Sequence, residues 1–162
     1  MSNWREIQGW LDEENYKMFQ DIKLSKSPTI LEIGTHRGKS STMMRELWPN
    51  SSIITCDIDD YEASLPDNVK FVHSSGQNLE WNKPIDLLFI DSSHTYDDTK
   101  ELFEKYESFI KKGGYVVFHD YHKEGSEVDG IRIYVHRLID LGYNIKTYNT
   151  GEYGGAVWRK DV

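Results

Sequence analysis

The stretch Ile30-Leu-Glu-Ile-Gly-Thr-His-Arg-Gly-Lys-Ser40 limits what this chain can fold into more than any other. Ile30, Leu31 and Ile33 form the short apolar run expected of a parallel strand buried on both faces. Gly34 breaks the run, Gly38 follows four residues on, and residues 39–48 read as a helix. A strand that turns through two glycines into a helix lets backbone approach a ligand without obstruction by Cβ. The helix start also offers free N–H groups to polar ligand atoms. Glu32 lies within the apolar run, where an unpaired carboxylate is costly. It is therefore expected at the carboxyl end of the strand, facing a partner.

The same alternation recurs along the chain. Residues 52–56 read as a second strand ending in Asp57-Ile-Asp-Asp60, and Pro66-Asp-Asn68 turns the chain into a third at 69–73, followed by Ser74-Ser-Gly-Gln77. Pro84 introduces a fourth strand, 85–90, which finishes on Asp91. A helix is expected over 96–110, with Asp97 and Asp98 in its first turn, where carboxylates suit the helix dipole. Gly113-Gly114 is expected to stop that helix ahead of a fifth strand at 115–118 ending in His119-Asp120. A polar loop, a helix over 130–141 and closing strands at 143–148 and 155–159 complete the pattern. Residues 4–24 carry Trp4, Ile7, Trp10, Leu11, Met18, Phe19 and Ile22 at mostly helical spacing, so 1–27 read as a helical cover on the sheet. The expected fold is α/β: a Rossmann-like, doubly wound, seven-stranded sheet, mostly parallel, with helices on both faces. The two closing strands have no helix between them, which predicts an antiparallel edge strand.

At 162 residues the chain reads as one domain. A chain of that length buries about 68–70% of its unfolded surface without help from disulfides. Its single cysteine, Cys56, lies in an apolar run and suits a reducing, cytoplasmic setting, as core and not nucleophile. No stretch approaches the ~20 apolar residues of a membrane span, and the amino terminus lacks a signal-peptide pattern. The net charge of -8, with lysines and arginines scattered, disfavours nucleic acid as a partner and favours a small molecule.

Acidic or polar groups end successive strands: Glu32, Asp57, Ser75-Gly76-Gln77, Asp91 and His119-Asp120. Any one of them reads equally well as a strand cap or the start of a turn. In open α/β sheets, however, ligands bind outside the carboxyl ends of the strands, and five such groups would meet there. Asp57 follows the glycine turn by about twenty residues, the placement from which a carboxylate accepts both hydroxyls of a ribose. Asp59 is its rival, and Asp57 is preferred because it directly follows the apolar run. Gly76 and Gln77 then fall near an adenine, with Gln77 able to bond its edge. Asp91 and Asp120 end neighbouring strands and would repel unless a proton or a cation lay between them. Mg²⁺ favours such oxygen ligands, and a hydroxyl bound to it loses its proton more readily. His94, His119 and His122 are candidate general bases, or else hydrogen-bonding props.

The spacing Glu32-x-Gly34-x-x-x-Gly38 departs from the dinucleotide fingerprint G-x-G-x-x-G, with Thr35 and His36 where a further glycine would stand. It resembles the first motif of class I S-adenosylmethionine-dependent methyltransferases, whose ligand carries no phosphate. Leu31–Ser40, Asp86-Leu-Leu-Phe-Ile-Asp-Ser-Ser-His-Thr-Tyr96 and Lys112-Gly-Gly-Tyr-Val-Val-Phe-His-Asp-Tyr121 resemble the methyltransferase family that includes macrocin O-methyltransferase and cephalosporin-hydroxylase-like proteins. The resemblance spans about residues 28–160. It implies S-adenosylmethionine as donor, O-methylation of a small hydroxyl compound such as a sugar, and often Mg²⁺ or another divalent cation. Donor contacts are then expected from Glu32, Gly34, Thr35, Gly38, Ser40, Asp57, Ile58, Gly76, Gln77 and Asp91. Catalysis is expected from His94, Asp91 and His119, and metal ligation from Asp91, His119 and Asp120. His119 stands where some relatives place a carboxylate, and Ser92-Ser93 replaces their common Gly-Asp pair. Aromatics of the amino-terminal cover suit an acceptor pocket, and the exposed tyrosines and tryptophans suit a homo-oligomer interface equally well. Two other readings remain at this level: a nicotinamide-dependent oxidoreductase and a non-catalytic S-adenosylmethionine-binding module.

Overall fold

Residues 2–121 and 129–161 are described by the computed structural model. Seven strands form one sheet: β1 (Thr29–Ile33), β2 (Ser52–Asp57), β3 (Val69–His73), β4 (Ile85–Ile90), β5 (Ile110–His119), β6 (Ile145–Tyr148) and β7 (Gly155–Arg159). Their order is β3-β2-β1-β4-β5-β7-β6. β1 to β5 pair in parallel, β7 pairs antiparallel with β5, and β6 pairs antiparallel with β7 on the outside. This is the expected doubly wound, mostly parallel sheet.

Alternation along each strand builds two cores. Leu31, Ile33, Leu88, Ile90, Val116 and Phe118 point to one face, covered by α3 (Tyr96–Tyr106) and α4 (Asp129–Asp140). Ile30, Leu87, Phe89, Tyr115 and Val117 point to the other, covered by α1 (Glu13–Gln20) and α2 (Lys39–Leu47). All six residues of β4 are buried, as befits a central strand. Among the described residues no helix is long and apolar enough to cross a membrane.

The amino-terminal cover is shorter in its helices than its periodicity suggests. Trp4–Glu6 form a single 3-10 turn, Gly9 leaves the helical region, and α1 begins only after Asp12. Asp12 and Asn15 form a capping box, with the Asp12 side chain accepting from the Asn15 N–H and the Asn15 side chain accepting from the Asp12 N–H. Helix start chemistry thus overrides the apolar spacing. Trp4, Leu11, Met18, Phe19 and Ile22 nevertheless reach the core beneath them.

The glycine pair was expected after a helix; it lies inside a strand. α3 ends at Tyr106, a 3-10 turn spans Glu107–Phe109, and β5 starts at Ile110. Gly113, at φ +78°, shifts the register against β4 between Ile85 and Leu87 while its N–H bonds the Lys160 carbonyl at 2.8 Å.

Candidate functional site

The strand order reverses between β1 and β4: the chain winds outward through β2 and β3 on one side and through β5 on the other. That is the switch point at which α/β sheets open a crevice. A cavity of about 590 Å³ lies at the carboxyl ends of the strands there, within the ~300–1,000 Å³ typical of small-molecule sites. Its walls bring together Gly34, Thr35 and Ser40 from the first turn, Asp57 and Ile58 after β2, Gly76 and Gln77 after β3, and Asp91, His94 and Asp120 after β4 and β5.

Gly34 is required by the protein's own packing. At φ +105°, an added Cβ would lie 1.9 Å from the Asp91 carbonyl oxygen, so the ends of β1 and β4 approach this closely only around glycine. Gly38, expected at the ligand, does not line the cavity: at φ +83° it is the N-cap of α2, and an added Cβ would meet Leu65 at 2.7 Å.

Glu32 also stands back from the cavity. Its side chain is fully buried and accepts hydrogen bonds from the Ser40 and Ser41 hydroxyls at the start of α2. Burial pushes its carboxyl up to about 7 against those bonds. Beside it the Thr35 and Thr55 hydroxyls bond each other at 2.6 Å. The expected partner of Glu32 is thus the turn itself, which this network fixes to the strand.

On the β2 side, Asp57 accepts the His36 N–H at 2.8 Å on one oxygen and the Asp59 N–H at 3.1 Å on the other. Each oxygen keeps a lone pair for a ligand. The loop after β3 is held from below: the Lys105 ammonium donates to the carbonyls of Gly76, Gln77 and Leu79 at 2.6–3.1 Å, and the Tyr106 hydroxyl bonds Gly76 at 2.6 Å. The Gln77 amide group donates to Asp98, whose other oxygen accepts from the Ser92 hydroxyl at 2.9 Å. Asp98 therefore ties the β3 loop to the β4 loop and lines the cavity itself, a role beyond the helix-dipole placement expected of it.

The fourth and fifth strand ends meet as expected, but their histidines divide the work differently. Coordinating atoms of Asp91, His94 and Asp120 lie within 4.8 Å of one another. His94, part-exposed, places Nε2 2.7 Å from Asp120 Oδ2. His119, expected as a ligand and catalytic group, is fully buried and outside the cavity lining. Its Nδ1 lies 3.0 Å from Asp91 Oδ1 and 3.1 Å from Asp120 Oδ2, and its Nε2 lies 3.3 Å from the Asn15 side-chain oxygen. All three neighbours accept, so both ring nitrogens donate and the ring is an imidazolium. Burial opposes that charge, yet the two aspartates outweigh it and raise its pKa to about 10. Burial also opposes the charge on Asp120, but hydrogen bonds from His119 and His94 hold it below the usual carboxylate range. Asp91 goes the other way, raised chiefly by burial. Hydrogen bonding to Asp120 raises His94. Asp120 and His36 are both non-glycine residues at positive φ, +58° and +46°, the kind of strain that packing sustains at functional sites. His122 lies outside the described residues.

Trp10 of the amino-terminal cover also lines the cavity, tilted against His36 with ring centroids 4.8 Å apart, and Tyr61 meets His36 edge-on at 4.8 Å. Cys56 is buried, its thiol pushed up by burial to about 12, as suits a core residue.

Fold and cavity together define a doubly wound α/β protein with a crevice at its switch point. The chain belongs to the family described as "Methyltransferase domain", whose model matches residues 31–121. It is 30% identical over 103 residues to malonyl-[acyl-carrier protein] O-methyltransferase 2 of Ilyobacter polytropus, covering 59% of this chain and 40% of that protein. The chain spans about half or less of the curated relatives it matches, 40–51% of their length. Among solved structures, a Staphylococcus aureus protein assigned as a caffeoyl-CoA O-methyltransferase superposes with a TM-score of 0.77 at 22% identity, over 96% of this chain and 87% of that one. Human N-acetylserotonin methyltransferase, in complex with S-adenosylmethionine, superposes with a TM-score of 0.69 at 16% identity, over 91% of this chain and 52% of that one.

Proposed function

We propose that this chain transfers a methyl group from S-adenosylmethionine to a hydroxyl of a small molecule. The observation that carries the reading is the convergence of Asp57, the Gly76–Gln77 loop and the Gly34 turn on one cavity that Asp91, His94 and Asp120 also line. In this reading Asp57 holds a ribose, the Gly76–Gln77 loop an adenine and the Gly34 turn the amino-acid end of the donor. Asp91, His94 and Asp120 are assigned to the acceptor side of the transfer. Family membership and a neighbour solved with the same donor support this, and membership speaks against the oxidoreductase reading. An acceptor of the macrocin type, a sugar hydroxyl, is one instance of the class.

In this mechanism the chain's residues chiefly bind and orient, because methyl transfer demands an acceptor oxygen held in line with the donor methyl. His94 takes the hydroxyl proton on Nδ1 while Nε2–H donates to Asp120, which stabilises the imidazolium that results. Buried His119 holds Asp91 and Asp120 in place and balances their charge. Two carboxylate oxygens and an imidazole nitrogen within 4.8 Å also fit Mg²⁺ or a similar cation with waters completing its shell. Such a cation, held by Asp91, His94 and Asp120, would take the place of His94 as base and lower the pKa of an acceptor hydroxyl.

The test is a calorimetric titration with S-adenosylmethionine in EDTA and again in Mg²⁺. Micromolar binding in both supports the donor site and assigns any cation requirement to the acceptor side. No binding in either overturns the proposal, and binding without S-adenosylhomocysteine formation from any hydroxyl acceptor points to a non-catalytic module.

A further inference from the structure

The charge and shape of the cavity wall narrow the acceptor beyond a hydroxyl compound. Among the described residues five carboxylates line it: Asp57, Asp59, Asp91, Asp98 and Asp120. Lys39 is the one lysine or arginine among them. It donates to the Ile7 carbonyl at 3.0 Å and lies 5.7 Å from the Trp4 ring centroid. Arg37 is exposed on the turn beside this wall, outside the lining. Among the described residues a phosphate or carboxylate on the acceptor would thus meet five carboxylates against Lys39, bonded to backbone, and His36 and His94, the latter already paired with Asp120, and like charge across an interface is unfavourable.

The second observation is independent of charge. Trp10 is 60% exposed, Ile58 68% and Tyr61 41%. All three line the same cavity, and Trp10 and Tyr61 flank His36. Large side chains normally give up that much exposure to packing, so a cluster of three at a cavity mouth reads as a ligand surface. A ring stacked on the open face of Trp10 would bury it.

Building on the methyltransferase reading, we infer that the acceptor is a ring-bearing hydroxyl compound without negative charge, neutral or cationic, that stacks on Trp10.

The experiment measures transfer of labelled methyl to three matched series, phenols, catechols and hexoses. Each series has a neutral, an ammonium-bearing and a carboxylate-bearing member. Within any series that turns over, kcat/KM for the carboxylate member is expected to fall about tenfold or more below its neutral partner. The gap should narrow at high salt and in Asp59→Lys. Trp10→Ala should raise the acceptor KM several-fold with the donor Kd unchanged. A carboxylate member that matches or exceeds its neutral partner overturns the charge inference. A Trp10→Ala defect confined to the donor Kd overturns the stacking platform. Donor binding without turnover in all three series overturns the ring-hydroxyl acceptor, whereas absence of donor binding overturns the methyltransferase reading beneath it.

Discussion

Replacing Asp57 is the sharpest test of how the cavity holds its donor. The carboxylate accepts two backbone N–H groups, from His36 at 2.8 Å and Asp59 at 3.1 Å, and retains a lone pair on each oxygen. Two ribose hydroxyls would complete its capacity. Hydrogen bonds to a charged group contribute about 1.5–3 kcal/mol each, so Asp57→Ala removes roughly 3–6 kcal/mol of donor binding before relaxation. At about 1.4 kcal/mol per tenfold, the donor Kd should rise by at least ~100-fold. Asp57→Asn keeps one acceptor oxygen but turns the other into a donor facing a backbone N–H. It should weaken binding by about tenfold, the equivalent of losing one charged bond. Calorimetry on variants whose circular dichroism and thermal transition match the parent separates binding from folding. A folded Asp57→Ala protein with unchanged donor affinity would refute the assignment and leave Asp59 as the rival.

Three further outcomes follow from the geometry. Glu32 has a folded pKa of about 7, above its ordinary 4.5. Its contribution is therefore fully present below pH 4.5 and lost as pH rises to 7. Glu32→Gln should accordingly gain stability relative to the parent across that window, by up to about 3 kcal/mol at 1.36 kcal/mol per unit; a constant difference in urea midpoints from pH 4 to 8 would refute it. His119→Gln leaves Asp91 and Asp120 without their buried imidazolium and should cost about 3–5 kcal/mol in urea unfolding at pH 7; a loss below 1 kcal/mol would contradict the charge balance drawn here. Gly34→Ala forces a Cβ to 1.9 Å from the Asp91 carbonyl at φ +105° and should cost more than about 4 kcal/mol, read as a collapse of the thermal transition with or without ligand.

Much of the fold was legible because the strands announce themselves. The buried runs at 30–33, 53–56 and 85–90 are short, rich in β-branched residues and bounded by Gly, Pro or Asp. The ends of β2, β3, β4 and β5 place Asp57, Gly76, Gln77, Asp91 and Asp120 on one edge. The start of β5 was hidden because Gly113-Gly114 signals a helix stop as readily as a bulge, and only pairing with β4 and β7 decides between them. In the amino-terminal cover the apolar spacing points to more helix than forms, because the capping box of Asp12 and Asn15 has a weaker sequence signal.

Strand periodicity separates the two histidines. Along β5, Tyr115 and Val117 face the α1 side and Val116 and Phe118 face the α3 side. Alternation therefore puts His119 under α1, on the covered face, and leaves the open end to residues beyond the strand. That reasoning makes His119 a buried prop and passes the exposed role to His94, which sits on the loop after β4. What no periodicity gives is its partner, since His119 meets Asn15 across 104 residues. The same Asn15 oxygen accepts the Asp12 N–H of the capping box, and its amide donates to the Gly154 carbonyl at 3.0 Å. One amide thus links the start of α1, the turn before β7 and the imidazolium that holds both site aspartates. The amino-terminal cover is therefore part of the site twice over, through Trp10 at the cavity mouth and through Asn15 beneath its floor.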